Sequence, residues 1–224
     1  MSVWNIHLLN ARHELTPVLS EVRQASREAV VRVRDHADLP DFDLVVRAQV
    51  DRSADGAVQG QAPAPGVIEI ALTPDRFDAP SFARALVRQM AHLIRWSGPG
   101  YGKSLGEALV SEGLAGHFVL QVLGGQPDAC DSIRPAQGAM RQAMNEWARH
   151  DYDHARWFGG KGDLRKWTGN SLGHRVLAEH LAEKPGDSAA LLATAPAEPF
   201  RQILRRIAAA EGQADPEAAP SEEG

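Results

Sequence analysis

Apolar positions recur at helical spacing through Val18, Val22, Ala25, Ala29 and Val33, which predicts an amphipathic helix over about 15–34. Pro40 closes that region. The β-branched run DLVVRAQV (43–50), bounded by turn residues, predicts a strand, and VIEIALT (67–73) alternates enough to predict a second. Between them DRSADGAVQGQAPAPG is Gly-, Pro- and Ala-rich and reads as a loop. From Pro80 onward the spacing is helical, with helices expected over about 80–97, 104–123, 135–149, 170–184 and 196–210. Strands early and helices late indicate an α+β fold, a small N-terminal β-sheet packed on a mainly helical body.

Two of these helices carry ionisable residues in core-like surroundings. In LVRQMAHLIRW (86–96), Phe82, Leu86, Met90, Leu93 and Ile94 form one broad apolar side, and Arg88 and His92 lie one turn apart beside it. In GEALVSEGLAGHF (106–118), Glu112 shares a face with Leu105, Leu109, Ala115 and Val119. An ionised carboxylate in such a stripe needs a counter-charge or a metal. The turn SGPGYG (97–102) lets the second helix run back along the first, a geometry that invites His92 and Glu112 to meet.

That arrangement is half of a zinc-peptidase site. In His-Glu-x-x-His, two histidines one turn apart ligate zinc and the glutamate beside the first is the general base. A glutamate from a second helix completes the set. Here the register that keeps His92 as the second histidine puts Arg88 at the first ligand and Gln89 at the base.

Composition narrows the setting. The chain has 224 residues, 29 acidic against 24 basic side chains and a net charge of −5. That balance argues against a nucleic-acid or anionic-membrane partner held by bulk charge. Cys130 stands alone, which fits a reducing compartment, and no run is apolar enough for a membrane span or a secretory signal. A cytoplasmic protein with one domain over 1–210 is expected. The acidic, Pro/Ala-rich end EGQADPEAAPSEEG (211–224) is expected to be disordered.

The blocks AHLIRWSGPGYGKSLGEALVSEGLAGHF (91–118) and DYDHARWFGGKGDLRKWTGNSLGHRVLAEHL (151–181) carry a resemblance. They look like the bacterial family of predicted Zn-dependent proteases of gluzincin type, a family defined as a domain of unknown function. The similarity extends from about Trp4 to about Phe200 and implies a zincin-like fold. It implies that His92 and Glu112 match the second and third zinc ligands. Arg88 and Gln89 depart from the motif, and Asn170 stands where a tyrosine is expected.

These departures remove a mechanism. Arginine stays protonated and has no lone pair for zinc. Glutamine cannot take a proton from water, and general-base help is typically worth about 10²–10⁴-fold. The reading that follows is a pseudo-peptidase with no cofactor, binding a peptide, protein or small ligand in the former cleft. Arg88 is expected to stand in for the metal and grip Glu112. One alternative is an active metallopeptidase in which zinc is held by His92, Glu112 and a third group such as His154 or Asp151. Another is a structural or assembly protein without a pocket function. Glu107, His154 and Asn170 are candidate site-wall residues. The aspartates of DYDHARW (151–157) are expected to cap a helix rather than bind metal.

Overall fold

The computed structural model describes residues 2–49 and 56–213. The elements form an α+β arrangement of four strands and eight helices among the described residues. Two compact units account for them. Of the described residues, the first comprises those up to Tyr101, with Leu114–Gln126 and Asp187–Ala195; the second comprises Gly102–Gly113, Pro127–Gly186 and those from Pro196 on.

The first unit holds the sheet, built from β1 (Trp4–Leu9), β2 (Phe42–Ala48), β3 (Val58–Ala64) and β4 (Val67–Leu72). Its strand order is β1-β2-β4-β3, with the first two pairings parallel and β3 antiparallel to β4 at the edge. Alternation in β2 buries Phe42, Leu44, Val46 and Ala48 and leaves Asp43 and Arg47 exposed. Ile68, Ile70 and Leu72 of β4 are fully buried in the same core. On the outward face His7 Nε2 lies 2.8 Å from Asp43 Oδ1, to which Asn5 also donates, so that face is polar.

Helices α1 (Leu19–Arg34) and α2 (Ala79–Arg95) pack on one another, and α2 also packs on β3 and β4. The buried side of α1 follows the three-four rhythm through Val22, Ala25, Ala29, Val30 and Val33. Asp78 starts α2 by accepting from the Ser81 amide at 2.8 Å, with Pro80 in the first turn. Phe82, Leu86, Val87 and Met90 have no exposed surface. Truncating one such side chain typically costs about 2–5 kcal/mol. Arg95, 1% exposed, donates from Nη1 to the carbonyls of Ala193 and Ala195, which secures the segment 187–195.

The loop expected over 51–66 is corrected, because Val58–Ala64 within it is β3. Its Gln, Gly, Ala and Pro residues carry no strand pattern, and pairing with β4 makes the strand. Pro63 is accommodated because β3 lies at an edge, where a missing N–H need not break a ladder. The short strand β1 was not anticipated either; only Trp4, Ile6 and Leu8 turn toward the core, half-buried.

The second unit holds the first part of α3 (Leu105–Leu123), with α4 (Ala129–Ser132), α5 (Ala139–Glu146), α6 (His154–Trp157), α7 (Thr168–Glu183) and α8 (Glu198–Gln213). α7 packs on α4 and α8, and α5 packs on α8. Trp157 is fully buried and donates its indole N–H to Glu146 Oε2 at 3.1 Å. The helix expected over 135–149 shrinks to Ala139–Glu146. Gly138, at a left-handed φ of 79°, interrupts the helical run and stands as the N-cap, which sets the later start. α8 runs to Gln213, and residues 214–224 of the expected tail lie outside the described residues.

Candidate functional site

The candidate residues divide between the units. Arg88, Gln89 and His92 belong to the first; Glu107, Glu112, His154 and Asn170 belong to the second.

In the first unit, α2 sets its three residues against distinct neighbours. His92 is 8% exposed, and its ring centre lies 5.7 Å from that of Tyr101. Gln89 is 6% exposed and lies over the edge strand. A Cβ placed on Gly60 of β3 would come within 2.8 Å of Gln89 Cγ and of Ile70 Cδ1, so the glycine makes room for the amide side chain. Trp96 Nε1 donates to the Ala62 carbonyl at 3.2 Å, a second tie between the end of α2 and β3. Arg88 is half-buried one residue before Gln89. Sequence reasoning missed this partnership because the edge strand carries no pattern of its own.

In the second unit, the start of α3 is a capping box written SLGE, 104–107. Glu107 Oε2 accepts from the amides of Lys103 and Ser104 at 2.8 Å each and from Ser104 Oγ at 3.0 Å, and Ser104 Oγ accepts from the Glu107 amide. Burial alone would raise the Glu107 pKa, but those donors outweigh it and hold the carboxyl below its ordinary value. Glu107 is therefore a helix cap.

One and two turns further along α3 come Glu112 and the crossing with α7. A Cβ on Gly113 would fall 2.3 Å from the Gly173 carbonyl oxygen, and one on Gly173 would fall 2.0 Å from that of Leu109. The helices thus meet backbone to backbone. That approach brings Asn170 to Glu112, and Asn170 Nδ2 donates to Glu112 Oε2 at 2.8 Å. Asn170 is 8% exposed and Glu112 is half-buried. Just before α7, Trp167 holds a left-handed φ of 67°, a conformation that costs a non-glycine residue about 1–2 kcal/mol.

Tyr152 is the residue of this region that sequence reasoning passed over. Burial pushes its phenol up to about 12, and the charges of Glu112 and Glu107 push the same way. At neutral pH it is an O–H donor close to two carboxylates. The signal lay inside DYDHARW, where the aspartates drew attention instead. Asp153 is indeed the cap of α6, accepting from the Arg156 amide at 3.0 Å. Asp151 is exposed and takes two hydrogen bonds from Arg149, at 3.1 Å each. His154 is exposed and stacks on Phe158 with ring centres 4.5 Å apart.

The chain belongs to the family described as Predicted Zn-dependent protease (DUF2268), whose model matches residues 22–202. No curated protein and no solved structure matches it.

For the zinc ion which that description implies, position 88 does not fit. The position one turn before His92 is a guanidinium without a lone pair. One oxygen of Glu112 is already engaged by Asn170. No catalytic step through zinc follows from this donor set.

Proposed function

We propose that the chain is a catalytically impaired relative of zinc metallopeptidases that binds an extended peptide, or a ligand of similar chemistry, beside α2 and β3. The observation that carries this reading is Gln89 lying over Gly60 of the edge strand. The position of a general base is filled by a side chain that donates and accepts hydrogen bonds but cannot remove a proton from water. β3 lies at a sheet edge, where an extended segment can add as a further strand through main-chain hydrogen bonds. Arg88, one residue away, brings a fixed positive charge where the parent chemistry has a metal ligand.

The proposal includes no resident metal, no nucleic-acid partner and no membrane partner. No helix among the described residues is long and apolar enough to cross a membrane. A cytoplasmic location accords with the single cysteine.

The family description itself favours a second reading, an active protease that holds zinc through His92, Glu112 and a further ligand. Elemental analysis of protein purified without chelators separates the two. The binding reading expects less than stoichiometric zinc, and no peptide hydrolysis that His92→Ala would abolish. Stoichiometric zinc lost in His92→Ala would establish the protease instead. Arg88→His combined with Gln89→Glu is expected to raise zinc affinity, by restoring two of the missing functions to a scaffold that kept His92.

A further inference from the structure

The second unit carries a basic groove on a protein that is acidic overall. A depression of about 670 Å³ is lined by Arg134, Arg141 and Arg175, with Met140, Leu172 and Ala208 among its apolar residues. A neighbouring depression of about 330 Å³ shares Arg141 and Ala208 with it and adds Arg205 and Met144. Together they make a track with four arginines, beside which Ala136 and Ala209 are exposed and Met144 is half-buried. The whole chain, by contrast, has a net charge of −5.

One carboxylate already sits there. Glu211 of α8 pairs with Arg175 of α7 through Oε1 and Nη1. Among the described residues Arg134, Arg141 and Arg205 form no ion pair, and all three are exposed. Arg165 Nη1 donates to the Arg134 carbonyl at 3.3 Å, which pins the segment before α5 and adds another positive charge near the track. Guanidinium groups suit carboxylates through paired parallel hydrogen bonds, and arginines set beside methionine and alanine suit an occupant that carries both carboxylates and small apolar side chains.

We propose that this groove docks an acidic peptide segment of a partner protein, with glutamate or aspartate side chains on Arg134, Arg141 and Arg205 and small apolar side chains over Ala136, Met144 and Ala209. Two joined depressions favour a linear chain over a compact metabolite. The Glu211–Arg175 pair shows the carboxylate chemistry the groove accepts. The groove shares no residue with Gln89 or β3, so it stands whether or not the proposal for that region holds.

The test titrates the full chain with a fluorescein-labelled ten-residue peptide alternating Glu with Ala and Leu, and with the same peptide carrying Gln for Glu. The Glu peptide is expected to bind and to weaken several-fold as salt rises past about 0.1 M, where the screening length falls to about 10 Å. Arg134→Glu with Arg141→Glu, both exposed and so harmless to folding, is expected to weaken it at least about tenfold. Unfolding midpoints of the variant and the native chain should agree. Equal binding of the Gln peptide, or undiminished binding by the charge-reversed variant, overturns the proposal. So does a several-fold gain in affinity when Asp215, Glu217, Glu222 and Glu223 are changed to alanine, because the occupant is then this chain's own acidic segment. Peptide affinity unchanged by that neutralisation supports an external partner.

Discussion

Asn170 Nδ2 donates to Glu112 Oε2 at 2.8 Å, joining two residues 58 positions apart in the chain. The amide satisfies part of a half-buried carboxylate. Asn170→Ala should therefore cost about 1.5–3 kcal/mol, the usual range for a hydrogen bond to a charged group, as measured by urea unfolding. Asn170→Asp sets a second carboxylate against Glu112 in place of a donor, and should cost more than Asn170→Ala in the same assay. A smaller loss for the aspartate than for the alanine would count against the Asn170–Glu112 contact.

Tyr152 offers a spectroscopic handle. Its phenol is raised to about 12, so the ultraviolet ionisation signal lost in Tyr152→Phe should have its midpoint there. Glu112→Gln should bring that midpoint down toward the ordinary tyrosine value of about 10. The raised value favours the neutral phenol in the folded state. Its contribution to stability is complete below pH ~10 and is lost as pH rises toward 12.

Glu107 governs the acid side. Its pKa is lowered in the folded chain, so its contribution is present above the unfolded value of 4.5 and disappears as pH falls through the lower folded value. Thermal midpoints of the native chain should drop on acidification more steeply than those of Glu107→Gln. Ser104→Ala should remove the reciprocal half of the cap at a cost of about 0.5–2 kcal/mol.

Gly60 and Gln89 should behave as a coupled pair. Gly60→Ala forces the added methyl into Gln89 Cγ and Ile70 Cδ1, and is expected to destabilise by about 1–3 kcal/mol. Gln89→Ala removes one of the two obstacles, so the double substitution should cost less than the sum of the singles. Additive losses would mean that the side chain does not rest on the strand.

Gly113 and Gly173 leave less latitude. Their added methyls would meet backbone oxygens rather than movable side chains, so either change to alanine should cost more than Gly60→Ala in the same denaturation assay. A smaller effect would mean that α3 and α7 can separate without penalty.

How much of this was legible follows from which signals are local. α2 could be read because its apolar residues repeat at helical spacing, and the Asp153 cap could be read because Asp ahead of a short helix has a local job. β3 could not, since Gln, Gly, Ala and Pro prefer no strand and only the ladder to β4 orders them. The α+β class survived this omission because β2 and β4 were both visible. At the site, spacing put Arg88 and His92 one turn apart on α2, while the match of His92 and Glu112 to ligand positions came from the resemblance alone. The Asn170–Glu112 bond and the elevated Tyr152 phenol depend on helices meeting across long stretches of chain, for which spacing holds no information.

Pro63 gives the exposed edge of the sheet a direction of use. Having no N–H, it can offer a neighbouring strand only an acceptor, so uninterrupted main-chain pairing along β3 is confined to the residues before it. A guest strand would have to register against Val58–Gln61. The same interruption works against two copies of the chain zipping edge to edge, so one imino acid both narrows the guest's register and discourages self-association.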